Sequence, residues 1–484
     1  MQHQTEPGYV PVGLPDGATR LAGTRVAALR GVRTPAGTLV DVEIADGRVV
    51  ATSATGTGTS TGTSTGVGTG PAGPPRPGSP AGTFRSSAGV AADGAAVHLD
   101  ATGWRVLPAA CEPHAHLDKA LTADRVPPGT GEDLVGAVAR WRELAPGIDG
   151  ADVLRRARTA VERYAARGIT TVRTHVDAPA EGDPLRMLDA LLGLREELAG
   201  SVTLQVCLLG GSHTPDAVFA EAAARGVDVL GGCPHLAPDP RAEVTRVLDL
   251  AERTGLPVDL HADEQTALPA DGALDVVELA RQVIARGLTQ RVTASHVVRL
   301  GSLPPDRLAP VVDLLARAGL GVVTLPITNL YLQGRDATHL PPRGLTAVRA
   351  LLDAGVPLAA GADNLRDPFN PAGTGDPFET TSLLMTAGHL TAAEALDAVT
   401  AGARTVLGLP PAGVSAGDRA DLVLVPDVPL GDVLAGGEHV RVVLTGGRVV
   451  ADTRVHRALA LAAPTRSADR PAATETPDPD LLVR

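Results

Sequence analysis

The chain has 484 residues, with 43 basic against 55 acidic side chains and a formal charge of −12. That balance argues against nucleic acid or an anionic membrane surface as the main partner. No apolar run reaches the roughly 18 residues of a membrane span. Three cysteines (Cys111, Cys207 and Cys233) are too few to frame so long a chain with disulfides. The opening MQHQTEPGYVPVGL joins no basic segment to an apolar one, so a cytoplasmic setting is expected. The length admits two or three average domains, or one large barrel with an accessory module.

After a tail over 1–19, residues 20–107 carry the strand-like pieces TRVAALRGVR, TLVDVEIADGRVV and AAVHLDATGWRV. They are interrupted at about 52–82 by a stretch that is Gly, Ser or Thr at 17 of the 19 positions 52–70 and then Pro/Gly-rich. Such a composition cannot offset its ordering entropy, and a flexible insertion is expected. Similar strand-like material returns over 408–460 as ADLVLVPDV and VRVVLTGGRVVAD. The dipeptides Asp46-Gly47 and Gly446-Gly447 sit between alternating runs, as hairpin turns do. Both chain ends therefore read as one small β-sandwich module, with an Ala/Pro/charge-rich tail over 461–484 expected to be disordered.

The middle, 108–407, alternates. Short apolar runs stand at 105–110, 169–176, 202–209, 227–232, 257–262, 291–297, 321–327 and 357–362, with helical patterns between them. One of these, VLRRARTAVERYAARG, ends at Gly168, which suits the residue after a helix C-cap. Eight strand–helix units in this span give an α/β fold, a (β/α)8 barrel. No glycine-rich phosphate loop follows the first strand, which disfavours a doubly wound sheet. Aromatic residues are 2% of the chain, so the core must be Leu, Val and Ala.

Such a barrel carries its chemistry at the C-terminal ends of its strands. There the chain has His114-Ala-His116, whose i and i+2 side chains point one way. Further along come His261-Ala-Asp263-Glu264, Ser295-His296 and Gly361-Ala-Asp363-Asn364. On a continued strand His261 and Glu264 would face opposite ways, so a joint role requires a turn after His261. Each motif alone has a bland structural explanation; four strand ends bearing HxH, His, His and Asp in that order do not arise easily by accident.

With the strings EPHAHLDK, GITTVRTHVD, HADE, RVTASH, LQGR and GADNLRDPFNPAGT, the region of about 105–430 resembles the amidohydrolase superfamily of metal-dependent hydrolases, and within it the cytosine deaminase branch. The resemblance implies that His114, His116, His261 and Asp363 bind one divalent metal ion. Three imidazoles and a carboxylate suit Fe²⁺ or Zn²⁺ with open positions for water, and the cation makes water a nucleophile near neutral pH. It further implies that Glu264 moves protons between water and a ring nitrogen, that His296 hydrogen-bonds the reacting centre, and that Asp363 passes a proton to the leaving amine. Binuclear relatives use a carboxylated lysine on strand four; the only lysine in this chain is Lys119, so one metal ion is expected.

The implied function is hydrolytic deamination of an amino-substituted N-heterocycle, a small molecule. Neither nucleic acid nor membrane enters, and a homo-oligomer is compatible. Three departures argue against cytosine itself. The family's Asp-Asp after strand eight is Asp363-Asn364, its Pro-Gln-Glu-Gly after strand three is Gly210-Gly211-Ser212-His213, and its Trp in the Asp-Pro-Trp segment is Phe369. Lys119, His213, Asn364 and Phe369 are the expected substrate contacts, with Lys119 holding an anionic or carbonyl edge. His175, Asp177 and His235 suit either support of the site or substrate contact, while Gln333 and Arg335 suit a structural loop. Two other classes stay open: a hydrolase of a cyclic amide or N-alkylamine, and a binding protein on an inactive barrel. Such inactive barrels lose metal ligands, and this chain keeps them all.

Overall fold

The structure is a computed structural model that describes residues 21–55, 85–86, 96–126, 133–269, 271–335, 337–339, 342–437 and 439–455. Most of the expected insertion and both expected tails lie outside the described residues.

One sheet is built from both ends of the chain. It contains β1 (Val26–Arg33), β2 (Leu39–Ala45), β3 (Arg48–Ala54), β4 (Arg85–Ser86), β5 (Val97–Asp100) and β6 (Trp104–Pro108). From the far end it takes β15 (Leu422–Pro426), β16 (Arg441–Thr445) and β17 (Arg448–Thr453). Its main order is β17-β16-β15-β6-β1-β2-β3, with β5 on β1 and β4 on β5. Both dipeptide turns form: Asp46 and Gly47, and Gly446 and Gly447, take positive φ values of 48°, 75°, 52° and 72°. Such values give the two-residue hairpin loop whose twist matches the strands. β3 continues to Ala54, paired with Val40, so the first residues of the expected insertion are strand. Along β15 the pleat divides the work: Leu422 and Leu424 join the module's own core, while Val423 and Val425 join the barrel's.

The second sheet is the barrel. Its eight strands are β7 (Ala110–Ala115), β8 (Ile169–Asp177), β9 (Thr203–Gly210), β10 (Val229–Gly232), β11 (Val258–Ala262), β12 (Val292–His296), β13 (Gly321–Thr324) and β14 (Leu358–Ala360). Neighbours pair in parallel in chain order. A parallel bridge between Ala115 and Asp363 brings the two ends of the sheet together. The helix Gly150–Ala166 precedes β8 and ends as expected, with Gly168 at φ 94°.

Two expected strands are corrected. The run 105–110 is two elements: β6 pairs with β15 in the end sheet, and the barrel begins only at Ala110. Pro108, which has no N–H to donate, stands where the chain changes sheets. The run 321–327 is strand only to Thr324; Pro326 opens a helix, Pro326–Leu332, at a first-turn position that tolerates proline. Arg441 of β16 reaches Asp376 through two contacts of 2.9 Å and fastens the end sheet to the start of the helix Pro377–Thr386, the first after the last barrel strand. Among the described residues no helix is long and apolar enough to cross a membrane.

Candidate active site

His114 lies on β7 and His116 directly follows its last residue, and both meet His261 near the end of β11. The Nε2 atoms of His114 and His261 are 3.0 Å apart, and those of His261 and His116 are 3.3 Å apart. Oδ1 of Asp363, three residues beyond β14, lies 3.3 Å from His116 Nε2 and 4.0 Å from His114 Nε2. All four residues are buried, and Asp363 Oδ1 receives no hydrogen bond. A shared N–H could join one pair of these atoms but not the whole set. Atoms bound to one ion at about 2.0–2.2 Å stand about 3–4 Å apart when a further position stays open for water, and these separations lie in that range.

The electrostatics point the same way. Burial, and then the neighbouring imidazoles, push His114 and His261 well below the usual histidine range; burial and then Lys119 do so for His116. All three are thus held toward the neutral form that a metal ligand requires. Burial and then the nearby Glu264 push the Asp363 carboxyl well up, so its anion needs a cation beside it.

The turn that the sequence requires after His261 is present. Asp263 takes φ 51°, and its carboxylate accepts the N–H groups of Asp275 and Val276 and a contact of 3.1 Å from Arg299. That reversal brings Glu264 to the same side as His261. Glu264 Oε2 lies 3.4 Å from His235 Nε2 and Oε1 3.7 Å from His296 Nδ1. Burial raises the Glu264 carboxyl, but His296 and His235 outweigh it and hold the group below its ordinary value. His296 ends β12 at φ 71°. Burial lowers its imidazole to about 4, and Asn329 donates to its Nδ1 at 3.0 Å. The neutral ring therefore carries its proton on Nε2.

A cavity of about 550 Å³ opens over this group, and His116, His261, Glu264, His296 and Asp363 reach its wall. The four expected substrate contacts also line it. His213 is exposed there, and Asn364 is buried with its amide donating to Asp367 at 2.8 Å. Lys119 has a buried ammonium, 2.9 Å from Asp177 and 3.2 Å from Asp118, with Trp141 5.1 Å and Phe369 6.0 Å away. His175 stacks on His114 at 3.9 Å and lies 3.5 Å from Asp259, beneath the cavity. His235 hydrogen-bonds the His261 carbonyl. Gln333 accepts from Thr266 N–H, and the Arg335 guanidinium covers Tyr331, both loop contacts.

Three residues escape the sequence reading. Glu112 accepts from the N–H groups of His114 and Ala362, tying β7 to the end of β14; only its place in EPHAHLDK could have marked it. Asn329 lies two residues beyond the run 321–327 expected as strand, in the helix that Pro326 opens. Trp141 donates to Asp177 at 2.5 Å and carries no local signal.

Comparisons with known proteins agree with this geometry. The amidohydrolase family's sequence model matches residues 129–451. A pterin deaminase of Rhizobium rhizogenes is 32% identical over 359 residues, 71% of this chain and 80% of its own. The crystal structure of a 5-methylcytosine deaminase from Klebsiella pneumoniae, liganded with phosphonocytosine, superposes with a TM-score of 0.74 at 25% identity, covering 90% of this chain and all of that one. That of an N-isopropylammelide isopropylaminohydrolase from Burkholderia multivorans gives 0.68 at 28% identity, covering 89% and 98%. By the extent of these matches, the chain belongs to the amidohydrolase family, on its cytosine deaminase-like branch, and is a hydrolase of carbon–nitrogen bonds.

Proposed function

We propose that this protein is a deaminase that uses one divalent cation, Fe²⁺ or Zn²⁺, to remove an exocyclic amino group from an N-heterocycle, with pterin-like bicycles favoured over cytosine. The observation that carries the reading is the chain of 3.0–4.0 Å separations linking His114, His116, His261 and Asp363, the last three of which reach the wall of a cavity that Glu264 also lines. β10 has no lysine, which supports a single ion.

When bound, the cation supplies Lewis acidity that lets water react as hydroxide near neutral pH. Glu264 takes the proton released by the attacking water and delivers it to the ring nitrogen. His296, fixed by Asn329, donates from Nε2 to the oxygen of the developing tetrahedral centre. Asp363 would take the hydroxyl proton of the tetrahedral centre and hand it to the departing amine as the carbon–nitrogen bond breaks. The burial of all three groups excludes bulk water and strengthens these interactions.

The pterin preference rests on the relative of that name and on a cavity roomy enough for two fused rings. Against cytosine stand the replaced glutamine segment and Asn364, whose amide is engaged with Asp367. A second reading, removal of an alkylamine, is favoured by Leu134 and Val138 in the cavity wall and by the N-isopropylammelide relative. The buried or half-buried free thiols of Cys111, Cys207 and Cys233 suit the cytoplasm. The test is product release by metal-analysed protein from a panel of pterins, aminopyrimidines and alkylaminotriazines. Ammonia from pterins supports the first reading and alkylamine from triazines the second; neither product from any member would refute both.

A further inference from the structure

Among the groups lining the cavity but outside the metal cluster, one acidic side chain is held from two sides. Asp177 is the last residue of β8. Its own N–H donates to Asp118 Oδ2 at 3.0 Å, which fixes its backbone. Its Oδ1 accepts from the Lys119 ammonium at 2.9 Å, and its Oδ2 from Trp141 Nε1 at 2.5 Å. A carboxylate oxygen can accept two hydrogen bonds, so each oxygen keeps one acceptor site. Of the three charged groups, Asp177 offers the cavity most: its side chain is 24% exposed, against 3% for Lys119, which also borders the cavity, and 0% for Asp118.

The charge count decides what such a wall can hold. One ammonium stands between two carboxyl groups, so the spare capacity that faces the cavity is acceptor capacity, and an anionic or carbonyl edge would be repelled. The wall also adjoins the reacting centre, because the Lys119 ammonium is 3.4 Å from Nδ1 of His116. Trp141 and Phe369 flank it as flat apolar surfaces, which suits a planar ring.

We propose that Asp177 is a specificity-determining residue that accepts a hydrogen bond from a ring N–H of the substrate, and that Lys119 acts through Asp177 without meeting the substrate itself. The ligand class is a planar amino-heterocycle in its amide-like tautomer, with a ring N–H besides the amine that is removed. The inference rests on the reading of this cavity as a heterocycle site.

Binding, not turnover, tests it. Calorimetry would compare pterin with its ring-N-methyl derivative, which lacks that N–H, on Glu264→Gln protein and on the same protein carrying Asp177→Asn. The first protein should bind pterin at least about tenfold more tightly than the methyl derivative, the worth of one charge-assisted hydrogen bond. With Asp177→Asn the ratio should shrink to within about twofold, by loss of pterin affinity alone. An unchanged ratio, equal losses for both compounds, or no binding of either would overturn the proposal. Should Asp177→Asn fail to fold, Trp141→Phe removes the donor that orients Oδ2. It should narrow the ratio in part, and no narrowing would overturn the proposal as well. A binding preference without product release from any heterocycle would instead sink the deaminase reading and leave this one standing.

Discussion

The layer of side chains beneath the cavity makes a demanding prediction, because it buries charge where barrels of this kind pack aliphatic residues. Arg173 of β8 lies 2.9 Å from Asp259 of β11, with side-chain exposures of 2% and 0%. Asp259 also accepts from Ser295 Oγ at 2.7 Å and faces His175 at 3.5 Å. Removing one partner of a buried pair leaves the other charge uncompensated, at about 3–5 kcal/mol. Arg173 keeps bonds to Gln205 and to the Leu407 carbonyl, so Asp259→Ala should fall near the lower end, about 3 kcal/mol. Asp259→Asn keeps the acceptor for Ser295 and should lose less. The double variant Arg173→Leu/Asp259→Leu leaves no lone charge and should lie closer to wild type than Asp259→Ala. Urea unfolding followed by fluorescence would measure this, with Trp141 reporting on the barrel and Trp104 on the end sheet. The pH dependence has a definite sign. Burial pushes the Asp259 carboxyl up, but His175, Arg173 and Ser295 outweigh it and hold it below its ordinary value. Its contribution is therefore complete above the unfolded-state value of about 4 and is lost as pH falls through the lowered folded value. A loss under about 1 kcal/mol for Asp259→Ala, or a double variant no better than the single, would show that this pair does not hold the barrel interior together.

Metal analysis of purified protein should approach one Fe or Zn per chain, and His114→Ala should lose it; two tightly held ions per chain would contradict the mononuclear reading. Glu264→Gln should keep its metal while turnover drops about 10²–10⁴-fold, and near-wild-type activity would move the proton work elsewhere. Lys119→Arg must fit a planar guanidinium where a compact ammonium is boxed between Asp118, Asp177 and Trp141. We expect kcat/KM to fall at least about tenfold, or ~1.4 kcal/mol of transition-state binding; a value within about twofold of wild type would make the only lysine incidental.

The barrel was legible in the chain because each buried parallel strand is a short apolar run separated from the next by a helical pattern. What such a run does not disclose is which sheet it joins. Residues 105–110 read as one apolar run, and the change of sheet at Ala109 depends on partners near 169 and 421. The candidate metal group could be proposed for a local reason: the i, i+2 spacing of His114 and His116 and the strand-end positions of His261, His296 and Asp363 are features of the local chain. The residues that hold it in place could not. Glu112 meets Ala362 across 250 positions, and Asn329 meets His296 only because Pro326 starts a helix where β-propensity suggests more strand. Lys119 stood out by its rarity, yet its role depends on Asp177 and Trp141, whose approach no local pattern encodes.

Strain and closure together explain why the rim has this chemistry. Asp263, His296, Val297 and Asp363 all adopt positive φ, a conformation costing non-glycine residues about 1–2 kcal/mol each. Each lies at a strand end bearing a candidate catalytic group, where the chain must turn sharply to aim a side chain over the barrel mouth. The neighbouring bonds oppose relaxation. Asp263 holds the two N–H groups of the following helix start, and Thr346 holds the Val297 carbonyl. Thr328 donates to the Ala362 carbonyl and accepts from Asn364 N–H, bracketing Asp363. Glu112 then crosses the seam between first and last strands, where a side chain at Gly361 would collide with its carboxylate at 2.1 Å. The candidate ligands His114 and His116 lie on one side of that seam and Asp363 on the other. Their convergence is thus a consequence of barrel closure, so whatever loosens the contact between Glu112 and Ala362 should disperse these candidate ligands before it unfolds either strand.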